Sequence, residues 1–285
     1  MTATRVHRKI FGRKLAGSTL AWIALICAVV WSTFPIMLVF ASALKSPKLL
    51  FTYPPKIFGP PTLSNFISLT QEWPEFWSAL GNSIIVALGS VLLALVVVLP
   101  SALAFSRYKN RTIRLSGVFL IVSRMFPPIV ITIPLYPILQ TTGLMDKHIV
   151  LIVLYTAFHV SIFTWIMKSF IDNIPEELEE SAFIEGCSKF QIFMKITLPL
   201  AASGMVSISI LLFIFSWNEF FFAFLFTTFD SVTAPVILHE LLSSTFGITW
   251  GPIFAGTAVQ LIPVLLFVIL VQKYLIRGLA YSSDK

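Results

Sequence analysis

The chain has 285 residues, of which 57% are hydrophobic and only 12% charged, with a net charge of +7. Soluble domains carry about 25% charged residues, so composition excludes an ordinary soluble protein and leaves the bilayer as the surrounding medium. The cations cluster beside apolar segments, which reads as membrane orientation and argues against nucleic-acid binding.

Six stretches are long and apolar enough to cross a ~30 Å hydrocarbon core at ~1.5 Å per residue: residues 20–44, 82–105, 115–139, 148–170, 200–226 and 252–276. The chain opens on a basic arm, residues 1–19, with Arg5, Arg8, Lys9, Arg13 and Lys14. Arm, apolar run and Ala41-Ser42-Ala43 together imitate a signal peptide. The run far exceeds the ~7–15 apolar residues of such a segment, so it reads as the first span. The loop at 45–77 is proline-rich and is expected to lie over the outer face without forming a domain of its own.

Span two ends in Arg107, Lys109, Arg111 and Arg114. Span three is interrupted by Pro127, Pro128, Pro134 and Pro137. Proline removes a backbone donor and crowds the preceding turn, and freed carbonyls survive at membrane depth only against protein or water. A packing kink and a flexible pore-facing helix both fit. Lys168, Lys189 and Lys195 flank the loop after span four, and Lys273, Arg277 and Lys285 mark the C-terminal end. Fifteen cations thus fall on one side, against Lys45, Lys48, Lys56 and Lys147 on the other. The bias places both termini in the cytoplasm of a multi-pass protein. The loop at 227–250 holds Pro235 and an apolar stretch, 236–242, expected as a short surface helix.

The charged loop at 172–199 is the most informative region. Asp172 or Asn173 is expected to cap a first helix, with Pro175 in its first turn and Glu176, Glu177 and Glu179 at the positive end of its dipole. Gly186 suits the left-handed conformation that ends a helix. Ser188 and Gln191 have capping-box spacing for a second helix, in which Phe190, Phe193, Met194 and Thr197 would form one face. The result is a helix–glycine–helix elbow with apolar surface that something must cover.

Arg124 in span three and Glu219 in span five are ionisable groups at membrane depth, where a charge costs ~2.5–3.5 kcal/mol on insertion scales and so faces the interior. With Asn218 they are candidates for a substrate path or gate; a structural contact with another span is the alternative. Cys27 and Cys187 lack paired spacing and the four histidines are scattered, so neither a metal site nor a catalytic constellation is expected.

Glu180-Ser181-Ala182, Gly186 and Ile196-Thr197-Leu198-Pro199, at this spacing, resemble the EAA signature of binding-protein-dependent ABC importer permeases. Ser181 stands where alanine is usual. Ile133-Pro134-Leu135-Tyr136, Thr142-Gly143-Leu144-Met145-Asp146 and Trp217-Asn218-Glu219-Phe220 resemble segments of the carbohydrate branch, in particular the smaller six-span maltose-type subunit. The resemblance implies an all-α, six-span type I importer transmembrane domain over residues 20–276, with its core at 78–276, its coupling loop at 172–199 and a cytoplasmic tail at 277–285. It implies half of a pathway for a sugar or related polar solute in a bacterial or archaeal inner membrane. Glu177, Glu180, Ser181, Ala182, Glu185, Gly186 and Phe190 would contact an ATPase subunit. Expected partners are membrane lipid, a second permease, two ATPase copies carrying ATP and Mg, and an extracytoplasmic solute-binding protein. No phosphate-binding Gly-x-x-x-x-Gly-Lys-Ser/Thr loop occurs, so the chain itself is not expected to bind a cofactor or act as an enzyme. A stand-alone secondary transporter or channel is the alternative; the scarcity of intramembrane charges for ion coupling and the lack of a repeat between the halves speak against it.

Overall fold

The computed structural model describes residues 3–54, 56, 59–243 and 248–283, with side chains described for 21–54, 56, 59–243 and 248–269. The side chains of the basic arm at 1–19 and of the tail at 277–285 lie outside the described residues. Among the described residues all regular structure is helical, apart from an isolated bridge between Lys45 and Pro61. The chain divides into two compact units, one of residues 1–73 with 246–259 and one of residues 74–245 with 260–285.

Unit one contains α1 (Ala3–Ala43), α2 (Ser64–Glu72) and the start of α13 (Trp250–Ser283). Over residues 21–43, α1 is long and apolar enough to cross a membrane, and Trp22, Ile23, Val29, Val30 and Trp31 are exposed on it. A helix end leaves carbonyls unsatisfied. Here the buried Asn65 supplies the donor: its Nδ2 reaches the carbonyls of Ala43 and Lys45 at 2.8 Å and of Ser42 at 3.3 Å.

Unit two is built around α3 (Glu75–Arg107), which packs on α6 (His148–Ile171) and on α10 (Ala202–Trp217). Ala87, Val91, Ala94, Val98 and Ala102 recur along α3 at helical spacing and are buried against Phe163 and Met167 of α6 and Ile208 and Leu212 of α10. Such small residues let helix backbones approach closely, which is how packing is won where lipid is as apolar as the core. Trp217 is buried, and its indole donates to the Gln260 carbonyl at 3.1 Å.

The third span is two helices, α4 (Arg111–Ser123) and α5 (Pro128–Thr141), bent by 92°. Only the first two prolines break it. Pro128 forces the residue before it out of the helical region, and Pro127 is extended at ψ 141°. Pro134 and Pro137 lie inside a continuous α5. A second bend, of 75°, separates residues 189–200 from α10. Counting each bent pair as one span, the described helices give six candidate spans. At 16 residues α10 is about 24 Å long. After a break at 218–220, α11 (Phe221–Phe226) follows.

The loop at 227–250 forms the expected short helix, α12 (Ala234–Ser243), with His239, Glu240, Leu242 and Ser243 exposed and the opposite face packed inward. Ala234, Val236, Ile237 and Leu241 are buried, and the Ala234 amide donates to Ser83 Oγ of α3 at 2.9 Å. Val236, Ile237 and Leu241 of the apolar stretch 236–242 supply the inward face.

Candidate functional site

The elbow forms as its local chemistry dictates, except at its entry. α7 (Glu176–Ile184) ends on Gly186 at φ +91°, where an L side chain is strained. The Gly186 amide donates to the Phe183 carbonyl and the Cys187 amide to Ala182, both at 3.0 Å, which is the paired pattern of a Schellman end. Ser188 then opens α8 (Lys189–Ile192) with both halves of a capping box: its Oγ accepts from the Gln191 amide, and its own amide donates to Gln191 Oε1. A π-helical turn (Phe193–Thr197) and the short α9 (Leu198–Leu200) lead into α10.

At the entry, neither Asp172 nor Asn173 caps α7; the capping position is held by Pro175, with no side-chain bond. Both side chains serve the end of α6 instead. Asn173 Nδ2 donates to the Ser169 carbonyl at 2.7 Å, and Asp172 accepts from Lys168 Nζ at 2.5 Å and Ser106 Oγ at 2.6 Å. Burial alone would raise the Asp172 carboxyl, but the Lys168 and Ser106 hydrogen bonds and the charges of Lys168 and Arg107 hold it below the usual carboxylate value.

Arg107, the last residue of α3, joins the elbow to the spans. Its Nη2 and Nε meet the two oxygens of Glu179 at 3.0 and 3.1 Å, a bidentate pair. The same guanidinium donates to the Ile174 carbonyl and to Ser106 Oγ. Glu179 also accepts from Thr197 Oγ1 at 3.0 Å. The side chains of Arg107 and Glu179 are 11% and 17% exposed, so water competes little for the pair. Lys189 adds a contact from α8, its Nζ 3.2 Å from the Tyr108 hydroxyl. Three span ends, those of α3 and α6 and the root of α10, are thereby tied to the elbow through one carboxylate and one guanidinium.

Glu177, Glu180, Ser181, Glu185, Gly186 and Phe190 all lie on the exposed side of the elbow. Ala182 does not: it is buried beneath α7, where a larger side chain would displace the helix. The second helix has no single apolar face, since Phe190 and Met194 are exposed while Thr197 is buried. The exposed apolar surface is completed by Phe183 and Ile184, at 61% and 85%. Phe183 and Ile184 are not among the contact residues expected from the sequence, in which Arg107, Glu179 and Thr197 read in other roles, as an orienting cation, a first-turn acid and part of an apolar face. An alternating Arg/Glu/Thr pattern so far apart in the chain carries no local signal.

Arg124, Asn218 and Glu219 sit at the two helix breaks. Arg124 follows α4, where its Nη1 donates to the Phe158 carbonyl at 2.9 Å and its guanidinium lies 5.1 Å from the Phe158 ring centroid. Asn218 follows α10 and donates back to the Ile214 carbonyl at 2.8 Å. Glu219 accepts from the Phe222 amide at 3.0 Å and more weakly from Ala223, and so caps α11. Phe158 packs edge-on against Phe222 with centroids 5.8 Å apart, so the breaks of the third and fifth spans share one aromatic contact. The Glu219 carboxylate thus has a structural task, and Arg124 and Asn218 are exposed.

A second carboxylate binds backbone at the other ends of these helices. Asp146, at φ +58°, accepts from the amides of Phe229, Asp230 and Ser231 at 2.8–3.0 Å and from Ser231 Oγ. Burial opposes ionisation, but the donated amides of residues 228–231 win and hold the Asp146 carboxyl well below the usual range.

The family model for binding-protein-dependent transport system inner membrane components matches residues 96–281. The chain is 36% identical over 213 residues to a trehalose transport system permease protein, SugB, from Mycobacterium tuberculosis, covering 74% of this chain and 77% of that one. It is 30% identical over 243 residues to a trehalose/maltose transport system permease protein, MalG, from Thermococcus litoralis, covering 82% and 87%. A bacterial ABC transporter involved in alginate import has a chain of the same fold, with a TM-score of 0.74 at 22% identity over 93% of this chain and 96% of that one.

Proposed function

The chain belongs to the family of binding-protein-dependent transport system inner membrane components, and on that premise we propose that its elbow is the surface on which a separate ATPase subunit acts. It is a permease subunit of an ABC importer, a membrane component whose energy comes from ATP hydrolysed on another subunit. The solute is a sugar or a related polar molecule, in keeping with relatives named for trehalose and maltose. A second, similar permease completes the pathway, two ATPase copies carry ATP and Mg, and an extracytoplasmic binding protein delivers the solute. Both termini face the cytoplasm, as the cation bias requires.

The observation that carries this reading is the construction of the elbow. Its outer side is apolar and acidic, with Phe183, Ile184 and Phe190 beside Glu177, Glu180 and Glu185. Its inner side is bolted to the ends of α3 and α6 and the root of α10. A push on the outer side must therefore move three spans together. The break at 218–220, capped by Glu219, is where α10 can tilt without dragging α11 rigidly along. Arg124, Asn218 and Glu219 lie where such a tilt would open or close a path.

Ile184→Asp with Phe190→Asp tests the docking role. The expected result is membrane insertion and pairing with the second permease as in wild type, loss of ATPase-subunit co-purification, and no ATP-driven uptake. Retained co-purification with normal uptake would overturn it. Uptake of solute without any ATPase subunit would instead favour a stand-alone transporter.

A further inference from the structure

We infer that unit one carries a saccharide pocket of its own, selective for neutral sugars. The inference rests on the sugar reading of the solute given above. The pocket has a volume of about 330 Å³ and is lined by Pro47, Leu50 and Phe51 after α1, by Ser68 and Glu72 of α2 and by residues 248–252 at the start of α13. That volume is at the lower end of the roughly 300–1,000 Å³ of small-molecule sites, enough for a mono- or disaccharide.

Its chemistry is that of a sugar site. Phe51 and Trp250 meet at 68° with centroids 5.7 Å apart, so two aromatic rings form a corner. Both remain accessible, at 71% and 38%. A pyranose presents an apolar face of C–H groups and a rim of hydroxyls. The corner suits the first. Glu72, Ser68 and Thr249 suit the second: a carboxylate accepts from two hydroxyls, and each hydroxyl side chain donates one hydrogen bond and accepts others. Among the described residues, no hydrogen bond or ion pair engages the side chains of these three. Among the described residues Glu72 is the only charged group lining the pocket, so an anionic sugar meets like charge.

The walls are pre-organised. Asn65 fixes α2 to the end of α1 through the Ala43 and Lys45 carbonyls. Gly251 sits so close to the same side chain that a Cβ would lie 2.3 Å from Asn65 Oδ1, which sets the spacing between α2 and the start of α13. A pocket held open in this way loses little free energy to ordering when it is filled. It lies at the ends of α1 and α13 remote from the two termini. In the proposed orientation that is the side on which solute arrives, and the pocket would hold a sugar as it leaves the binding protein.

The test uses the assembled importer in nanodiscs, without nucleotide or binding protein, and reads saturation-transfer NMR and tryptophan fluorescence. The probes are maltose, methyl glucoside and glucuronate. Wild type is expected to bind the two neutral probes and to exclude glucuronate. Trp250→Ala and Glu72→Ala should each weaken neutral-sugar binding at least tenfold, Trp250→Phe should retain it, and Glu72→Gln should admit glucuronate. Wild-type affinity in both alanine variants, or failure of the wild-type complex to bind either neutral probe, overturns the pocket. Sugar uptake driven by ATP, measured on the same preparations, reports separately on the importer reading: normal uptake with no pocket binding removes this inference alone.

Discussion

Glu179→Gln keeps the shape of the side chain and removes its charge, which makes it a clean perturbation of the link between elbow and spans. In the wild type Glu179 receives two hydrogen bonds from Arg107, at 3.0 and 3.1 Å, and one from Thr197. The partners' side chains are 11% and 17% exposed. Breaking a fully buried ion pair costs ~3–5 kcal/mol, and a single hydrogen bond to a charged group is worth ~1.5–3 kcal/mol. The amide retains one acceptor, and Arg107 keeps the Ile174 carbonyl and Ser106. A net loss of about 2–4 kcal/mol is expected. At 1.4 kcal/mol per factor of ten, the elbow should detach from α3 roughly 30- to 700-fold more often than in wild type. The assay is ATP hydrolysis and solute uptake by the reconstituted importer, measured together. The variant should still bind its ATPase subunit through Phe183, Ile184 and Phe190, and should hydrolyse ATP with little uptake. The exchange Arg107→Glu with Glu179→Arg should recover part of the coupling. An unchanged ratio of solute carried to ATP hydrolysed in Glu179→Gln would refute the reasoning that Arg107 carries motion from elbow to spans.

Gly186→Ala meets no atom within 4 Å, so its cost is backbone strain alone, about 1–2 kcal/mol; Gly186→Asn should cost less and Gly186→Val more, an order to be read in ATPase-subunit affinity. Asp146 contributes stability that is fully present above the ordinary carboxylate value near 4 and is lost as pH falls through its lower folded value. Hydrogen exchange of the amides of Phe229, Asp230 and Ser231 should therefore stay slow between pH 7 and 5 in wild type, and be faster at every pH in Asp146→Asn. Gly204→Ala places a Cβ 2.5 Å from the Phe170 ring and 2.8 Å from its Cβ, so thermal stability of the purified permease should fall by about 1–3 kcal/mol. Gly81→Ala, which meets nothing within 4 Å in α3, should be neutral or stabilising in the same melt.

Hydropathy and local chemistry carried much of this protein in short windows of sequence. Each candidate span is legible because twenty apolar residues have one solvent in which to sit. The elbow is legible because its stop and start are decided within a few residues: Gly186 adopts its left-handed turn without help, and Ser188 finds Gln191 three positions on. The Glu180–Pro199 pattern was enough to point to the family. What the windows could not decide is partnership. Asp172 had a local role open to it as a helix cap, and instead Ser106, brought from α3, claimed its carboxylate together with Lys168 four residues before it. Pro134 and Pro137 resemble Pro127 and Pro128 on paper, but consecutive prolines alone forced an extended residue and a 92° bend. The stretch at 236–242 reads as a surface helix, and only packing decided which face turns inward: Val236, Ile237 and Leu241 are buried, while Ser83 of α3 holds the helix start at Ala234. Arg107 is one of four cations after span two, and Glu179 one of several acids in the elbow. Their pairing across 72 positions exists only once α3, α6 and α10 have packed. Sequence by itself determined the solvent, the spans and the elbow, since each depends on neighbours along the chain. Tertiary structure alone decided how the elbow grips the spans, because a charge selects its partner by distance in space.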